Sequence, residues 1–151
     1  SIRSLAGLPL GSSLVTRPPL EAPHHSATMA SLIGGGSGLV RPGAISRAAH
    51  GVLFLDEAPE FAGAVLDALR QPLETGEITI HRARAVARFP ARFQLVLAAN
   101  PCPCGQGGGD DCTCSSLTRR RYLARLSGPL LDRIDLHLTV RRVGAAQLTE
   151  G

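Results

Sequence analysis

Gly51-Val52-Leu53-Phe54-Leu55-Asp56-Glu57 places four apolar residues directly before two adjacent carboxylates. A buried strand that delivers acids to a site has this form, the Walker B pattern. At the carboxyl end of such a strand the first acid, Asp56, would hold Mg²⁺ directly or through water. The second, Glu57, would polarise the water that attacks a phosphoryl group. The plainer reading is a core strand followed by two solvated acids, a pattern common enough that seven residues alone are a weak signal. The surrounding sequence has to decide.

Composition narrows the choice. With 151 residues and 44% hydrophobic content the chain can bury one core, so one domain or a piece of one is expected. No apolar run approaches membrane-spanning length and no secretory signal opens the chain, so a soluble protein is expected. The first residue is Ser1, not methionine, which fits an excised segment. All 16 basic residues are arginine, and the formal net charge is +4. A G-x-x-x-x-G-K-[ST] phosphate loop needs a lysine, so these residues hold no complete one. Forked, permanently charged guanidinium groups suit contact with phosphate, of a nucleotide or of nucleic acid. Arginine replacing lysine on solvated faces is the plainer account of the scattered ones.

Elements follow from periodicity. The stretch to about Pro23 is proline-rich and irregular. A short helix is expected over Ser26–Ile33, ended by Gly34-Gly35-Gly36-Ser37-Gly38, and Arg41-Pro42-Gly43 turns into Ala44–Ala49. Without a following lysine, the glycine run reads as a flexible loop. Phe61, Val65, Leu66, Leu69 and Leu73 recur at helical spacing and predict an amphipathic helix over about Glu60–Leu73. Glu77–His81 and Ala85–Phe89 alternate around an Arg82-Ala83-Arg84 turn, as a hairpin does. Phe93–Ala99 is apolar enough for a strand buried on both faces, and it ends at Asn100-Pro101. A cysteine loop covers Cys102–Cys114. Ser116 then caps a helix through about Leu126, Gly128-Pro129 breaks it, Leu130–Asp135 forms a helical turn and Leu136–Val140 a last strand. Strands alternating with helices predict an α/β layered fold with a largely parallel sheet.

The cysteines fall as two C-x-C pairs, Cys102-Pro103-Cys104 and Cys112-Thr113-Cys114, around Gly107-Gly108-Gly109-Asp110-Asp111. Four thiolates on one loop suit tetrahedral Zn²⁺, although C-x-C is tighter than the usual C-x-x-C. Disulfides are the rival reading. His24-His25 read as further ligands or as plain loop or pore residues.

Several segments together carry a resemblance to a known family. They are Ala22-Pro23-His24-His25-Ser26, Gly34-Gly35-Gly36, Gly51–Glu57, Phe89-Pro90-Ala91-Arg92-Phe93, Asn100-Pro101-Cys102-Pro103-Cys104-Gly105 and Leu126-Ser127-Gly128-Pro129-Leu130-Leu131-Asp132-Arg133-Ile134-Asp135. The chain resembles the AAA+ ATPases, in particular the magnesium-chelatase-like ComM/YifB family, through almost its whole length. The resemblance implies a partial AAA+ P-loop NTPase domain over residues 1–151, with the first strand and Walker A loop expected before Ser1 and the lid after Gly151. In that arrangement the first strand lies between the Asn100 strand and the last strand, so a gap in the sheet is expected there. Residues 20–50 would form the helix-2 insert region, 77–89 the pre-sensor-1 hairpin and 101–115 the cysteine-rich loop.

Asp56 is then the Mg²⁺-associated acid, Glu57 the water-orienting residue, Asn100 sensor 1 beside the γ-phosphate of ATP, and Arg133 an arginine finger acting on the neighbouring subunit. Preorganised donors of this kind stabilise charge on a transferring phosphoryl group. Taken alone, Asn100 is equally a turn-forming Asn-Pro, and Arg133 a partner of Asp132 or Asp135. Arg82, Arg84 and Arg88 near the hairpin tip would touch nucleic-acid backbone, or else make subunit contacts. With Tyr122 and four phenylalanines as the aromatic content, base stacking is not supported. The family implies a cytoplasmic, homo-oligomeric, hexameric ring driving DNA branch migration in recombination and natural transformation, and reducing surroundings would keep the thiols free. The other readings are a chelatase motor aiding Mg²⁺ insertion into porphyrin and a zinc-binding interaction module.

Overall fold

A computed structural model of the chain describes residues 2–9, 11, 15–35, 40–82, 85–107 and 112–140, with the side chains of 82 and 85 excepted. Along them run α1 (Ile2–Leu5), β1 (Leu20–Glu21), α2 (Met29–Ile33), β2 (Gly34–Gly35), β3 (Arg41–Pro42), α3 (Ala44–Arg47), β4 (Val52–Leu55), α4 (Gly63–Asp67), α5 (Arg70–Thr75), β5 (Glu77–Arg82), β6 (Ala85–Pro90), β7 (Gln94–Leu97), α6 (Ser116–Leu123) and α7 (Gly128–Leu131). A 3₁₀ turn at Ala58–Glu60 follows β4.

β4 lies between β1 and β7, and both neighbours run parallel to it. The register sets Leu53 opposite Leu95 and Leu55 opposite Leu97. Parallel neighbours need long crossovers. The first consists of α2, the β2–β3 pair and α3; the second of α4, α5 and the β5–β6 hairpin. This is the mixed α/β fold with a parallel sheet that the sequence predicts.

Leu53 and Leu55 are fully buried and share one core with Leu32 of α2, Ile45 of α3, and Phe61, Val65, Leu66 and Leu69. Each such side chain contributes about 1.5–3 kcal/mol by leaving water. The hairpin enters the same core through Ile78, Ile80 and Phe89, while Glu77, His81 and Arg88 stay exposed. That alternation is what a half-buried antiparallel pair requires. Arg47 ties α3 to β1, its Nε and Nη2 donating to Glu21 Oε2 at 3.1 and 2.9 Å.

The helix expected over 60–73 faces the core with the predicted stripe but is broken into the 3₁₀ turn, α4 and α5. Pro72 has no N–H for a bond to the Ala68 carbonyl. It therefore sits in the first turn of a new helix, where that donor is not needed. At the next helix the cap is Ser115, not Ser116, since the Thr118 N–H donates to Ser115 Oγ at 3.1 Å. Gly128-Pro129 opens α7. Of the glycine run, Gly34–Gly35 pairs with Arg41–Pro42, and residues 36–38 lie outside the described ones.

β7 is half-exposed where burial on both faces is predicted, because it is an edge strand. Its outer side borders a groove of about 580 Å³ lined by Leu73, Phe93, Leu95, Leu97, Ile134 and Leu136, among others. Beyond the groove, Leu136–Val140 takes no regular structure, and Val140 is 92% exposed. A strand without hydrogen-bonded neighbours is not stable in water. No helix among the described residues is long and apolar enough to cross a membrane.

Gly51 opens β4 where Pro19 passes. A Cβ at residue 51 would stand 1.9 Å from the Pro19 carbonyl oxygen, which accepts the Val52 N–H at 2.9 Å. Gly51→Ala must push β1 away from β4. The expected cost is about 1–3 kcal/mol, the range for overpacking, read from urea unfolding; an unchanged midpoint would contradict this packing.

Candidate functional site

β4 delivers Asp56 and Glu57 to the carboxyl edge of the sheet, where the chain turns sharply. Glu57 adopts φ 50°, ψ 43°, a left-handed conformation that is unfavourable for a residue with a Cβ. Its surroundings hold it there. The Glu57 N–H donates to Asp56 Oδ1 at 2.9 Å, the Glu60 N–H to the Glu57 carbonyl at 2.7 Å, and the next two residues, Ala58 and Pro59, are buried. The Ala58 N–H donates to the Ala98 carbonyl at 2.8 Å, and the Ala98 N–H to the Leu55 carbonyl at 2.9 Å. These two bonds join the end of β4 to the end of β7. Asn100, two residues on, therefore leaves the sheet at the same edge as the two acids, and it is exposed.

Both carboxylates border a cavity of about 300 Å³, lined also by Ala22, Pro23, His24, His25 and Phe54. Larger hollows exist along β7 and under α1, but neither contains the acids. His25 Nδ1 stands 3.2 Å from Glu57 Oε2. The His25 ring meets Phe61 edge-on, with centroids 6.5 Å apart, and packs against the His24 ring at 4.0 Å. Sequence reasoning leaves this histidine pair unassigned. Its place follows from the structure alone: parallel pairing of β1 with β4 sends both strand ends to one edge.

Arg133 and Arg88 do not line this cavity. Arg133 pairs with Glu74 of α5, not with Asp132 or Asp135, and lines the groove beside β7. Arg84 and the Arg82 side chain are outside the described residues, and Arg88 is exposed on β6.

The four cysteines converge. Their sulfurs all lie within 4.8 Å of one another. Cys102 Sγ is 3.3 Å from Cys104 Sγ and 3.8 Å from Cys112 Sγ, and Cys104 Sγ is 3.7 Å from Cys112 Sγ. A tetrahedron of sulfurs about 2.3 Å from a central zinc has edges of about 3.8 Å. A disulfide would need about 2.0 Å, shorter than any of these three separations. Gly107 donates its N–H to Cys102 Sγ at 3.3 Å, and chiefly for that reason the Cys102 thiol falls to about 6. At Cys114 the Cys104 backbone favours the thiolate, but the Cys104 and Cys102 sulfurs and desolvation outweigh it and push the thiol up to about 11. Sulfurs this close repel once ionised, and a central cation lets all four ionise together.

An open, mostly parallel sheet with two acids at a buried strand's end and a polar residue at the end of its neighbour is the arrangement of a P-loop-type nucleotide hydrolase. The family model for magnesium chelatase, subunit ChlI, matches residues 1–148. An uncharacterized protein of Mycobacterium tuberculosis is 59% identical over 146 residues, covering 96% of this chain and 29% of the relative. Competence protein ComM of Haemophilus influenzae is 60% identical over 122 residues, 81% of this chain and 24% of its own. The magnesium-chelatase 38 kDa subunit of Cereibacter sphaeroides is 37% identical over 60 residues, 40% of this chain and 18% of its own. The chain belongs to the magnesium-chelatase-like AAA+ ATPase family, and it spans less than a third of the length of these relatives.

Titration of the intact, unfolded protein with a thiol reagent in the absence of reductant should find Cys102, Cys104, Cys112 and Cys114 all reactive. Peptide mapping that places two of them in a disulfide would contradict the geometry.

Proposed function

We propose that the chain is the acid-bearing central part of an ATP-hydrolysing ring motor that acts on DNA. The observation that carries this reading is that Asp56 and Glu57 border one open cavity while Asn100 leaves the neighbouring strand at the same sheet edge. Two exposed carboxylates are hard oxygen donors, which suit Mg²⁺. Asp56 would hold the ion, and the ion would neutralise charge on the ATP phosphates. Glu57 orients the attacking water and Asn100 holds the water and γ-phosphate from the neighbouring strand. His25 is a positioning residue that keeps Glu57 aimed.

Arg133 is read as the finger that reaches ATP on the neighbouring subunit. That role requires it to leave Glu74, a half-exposed partner whose ion pair is worth no more than about 1 kcal/mol. Hydrolysis then depends on ring assembly, and the family supports a homo-oligomer, read here as a hexamer. The lysine of a phosphate loop must come from outside these 151 residues, which contain none, so this polypeptide alone should not turn over ATP. Residues 20–50 are assigned to the helix-2 insert, the β5–β6 hairpin to the pre-sensor-1 insert and 101–115 to a cysteine-rich loop that holds Zn²⁺. The hairpin arginines Arg82, Arg84 and Arg88 are assigned to DNA backbone contact, and the whole protein to branch migration in recombination and natural transformation, in the cytoplasm. The similarity to a protein named for competence supports that direction. A second reading, a chelatase motor for Mg²⁺ insertion into porphyrin, draws on the chelatase subunit match, which covers less of the chain at lower identity.

The test is ATPase turnover of the intact protein with and without branched DNA. DNA should stimulate turnover, and Glu57→Gln should lower it by about 10²-fold or more, the scale of a lost general base. His25→Ala should lower kcat about two- to five-fold with the KM for ATP unchanged, matching the energy of one lost hydrogen bond. Glu57-dependent turnover indifferent to DNA would favour the chelatase reading. Turnover indifferent to Glu57→Gln would end both.

A further inference from the structure

The cysteine loop is placed between the two halves of the proposed catalytic edge. Its first ligand, Cys102, comes two residues after Asn100 and is fully buried. Its last, Cys114, precedes Ser115, the cap of α6. Arg119, one turn into that helix, donates from Nη1 to the Cys114 carbonyl at 2.8 Å and reaches Cys112 Sγ at 3.9 Å. Just past the far end of α6, Arg125 Nη1 donates to the Pro59 carbonyl at 3.0 Å and to Glu60 Oε2 at 3.3 Å. Pro59 and Glu60 belong to the 3₁₀ turn that starts immediately after Glu57. Pro103 of the loop, Tyr122 and Arg125 of the helical segment, and Glu60 line one hollow of about 360 Å³. The path runs from Asn100 through four sulfurs and α6 back to Pro59 and Glu60, in the turn that follows Glu57.

We propose that a Zn²⁺ held by Cys102, Cys104, Cys112 and Cys114 is a structural tie that sets the position of Glu57 relative to Asn100 through α6 and Arg125. Four protein ligands close the coordination sphere and leave no position for a substrate or water, so the metal is not catalytic. The loop needs such a tie. Ordering its backbone costs conformational entropy, and between Cys102 and Cys114 no large apolar side chain is present to offset that. Arg125 is a positioning residue: it reaches Glu57 through the turn backbone and touches neither ATP nor the metal.

The role of the tie rests on the reading of Glu57 given above, whereas the metal itself does not. Elemental analysis of the intact protein, purified without added metal, should return one zinc per chain. Cys104→Ser together with Cys112→Ser should abolish it. Where that variant fails to fold, zinc released from the folded wild type by a mercurial, counted against thiols consumed, gives the same stoichiometry. Arg125→Ala should keep its zinc yet lose several-fold in kcat with the KM for ATP unchanged, and Arg125→Lys should recover part of the loss. Absence of zinc, or iron in its place, overturns the metal assignment. Full zinc and wild-type kcat in Arg125→Ala overturn the tie. If Glu57→Gln turns over like wild type, the ATPase reading fails, and the zinc stoichiometry still stands or falls by itself.

Discussion

β4 is hydrogen-bonded on both sides by strands running in its own direction, and the consequences of that parallelism reach every part of the site. Parallel strands all leave the sheet at one edge. Ala22–His25 after β1, Asp56 and Glu57 after β4, and Asn100 after β7 therefore leave at one edge, although about 30 to 40 residues separate one segment from the next along the chain. An antiparallel partner on either side would have sent one of these groups to the opposite end. The same pairing requires long crossovers, and the hydrophobic core consists largely of what those crossovers bring in: Leu32, Ile45, Phe61, Leu66, Leu69 and the inner face of the hairpin.

The turn that follows β4 is conformationally constrained. Glu57 lies in a conformation its own side chain disfavours, and buried Ala58, bonded to the Ala98 carbonyl, prevents relaxation. His25 holds the carboxylate from one side, and Arg125 grips the turn from the other. A strained backbone restrained by its neighbours keeps the Glu57 side chain at the edge of the cavity.

Legibility in the sequence tracks the range of the interactions. The Gly51–Glu57 strand, the Glu77–Phe89 hairpin and the four-cysteine loop announce themselves through local alternation and spacing, and each is where the pattern puts it. β1 is only Leu20–Glu21, too short to show any period, so the segment that carries His25 to Glu57 could not be recognised as a strand. The pairing of Arg133 with Glu74 spans 59 residues and that of Arg125 with Pro59 spans 66; neither leaves a local trace. Pro72 sits inside the helical spacing. Its missing N–H splits a helix whose apolar stripe is otherwise as spaced. Leu136–Val140 shows the reverse error, a strand-like alternation without a strand beside it to accept its hydrogen bonds.

The central claim is that the cavity under Asp56, Glu57 and His25 is where a divalent ion and the terminal phosphate of ATP meet. The most direct measurement is anomalous diffraction from the intact protein crystallised with Mn²⁺ and a non-hydrolysable ATP analogue. The account predicts a manganese peak beside the Asp56 carboxylate, with the γ-phosphate between Glu57 and Asn100. A nucleotide-bound ion elsewhere, with Asp56 and Glu57 left facing solvent, would contradict it.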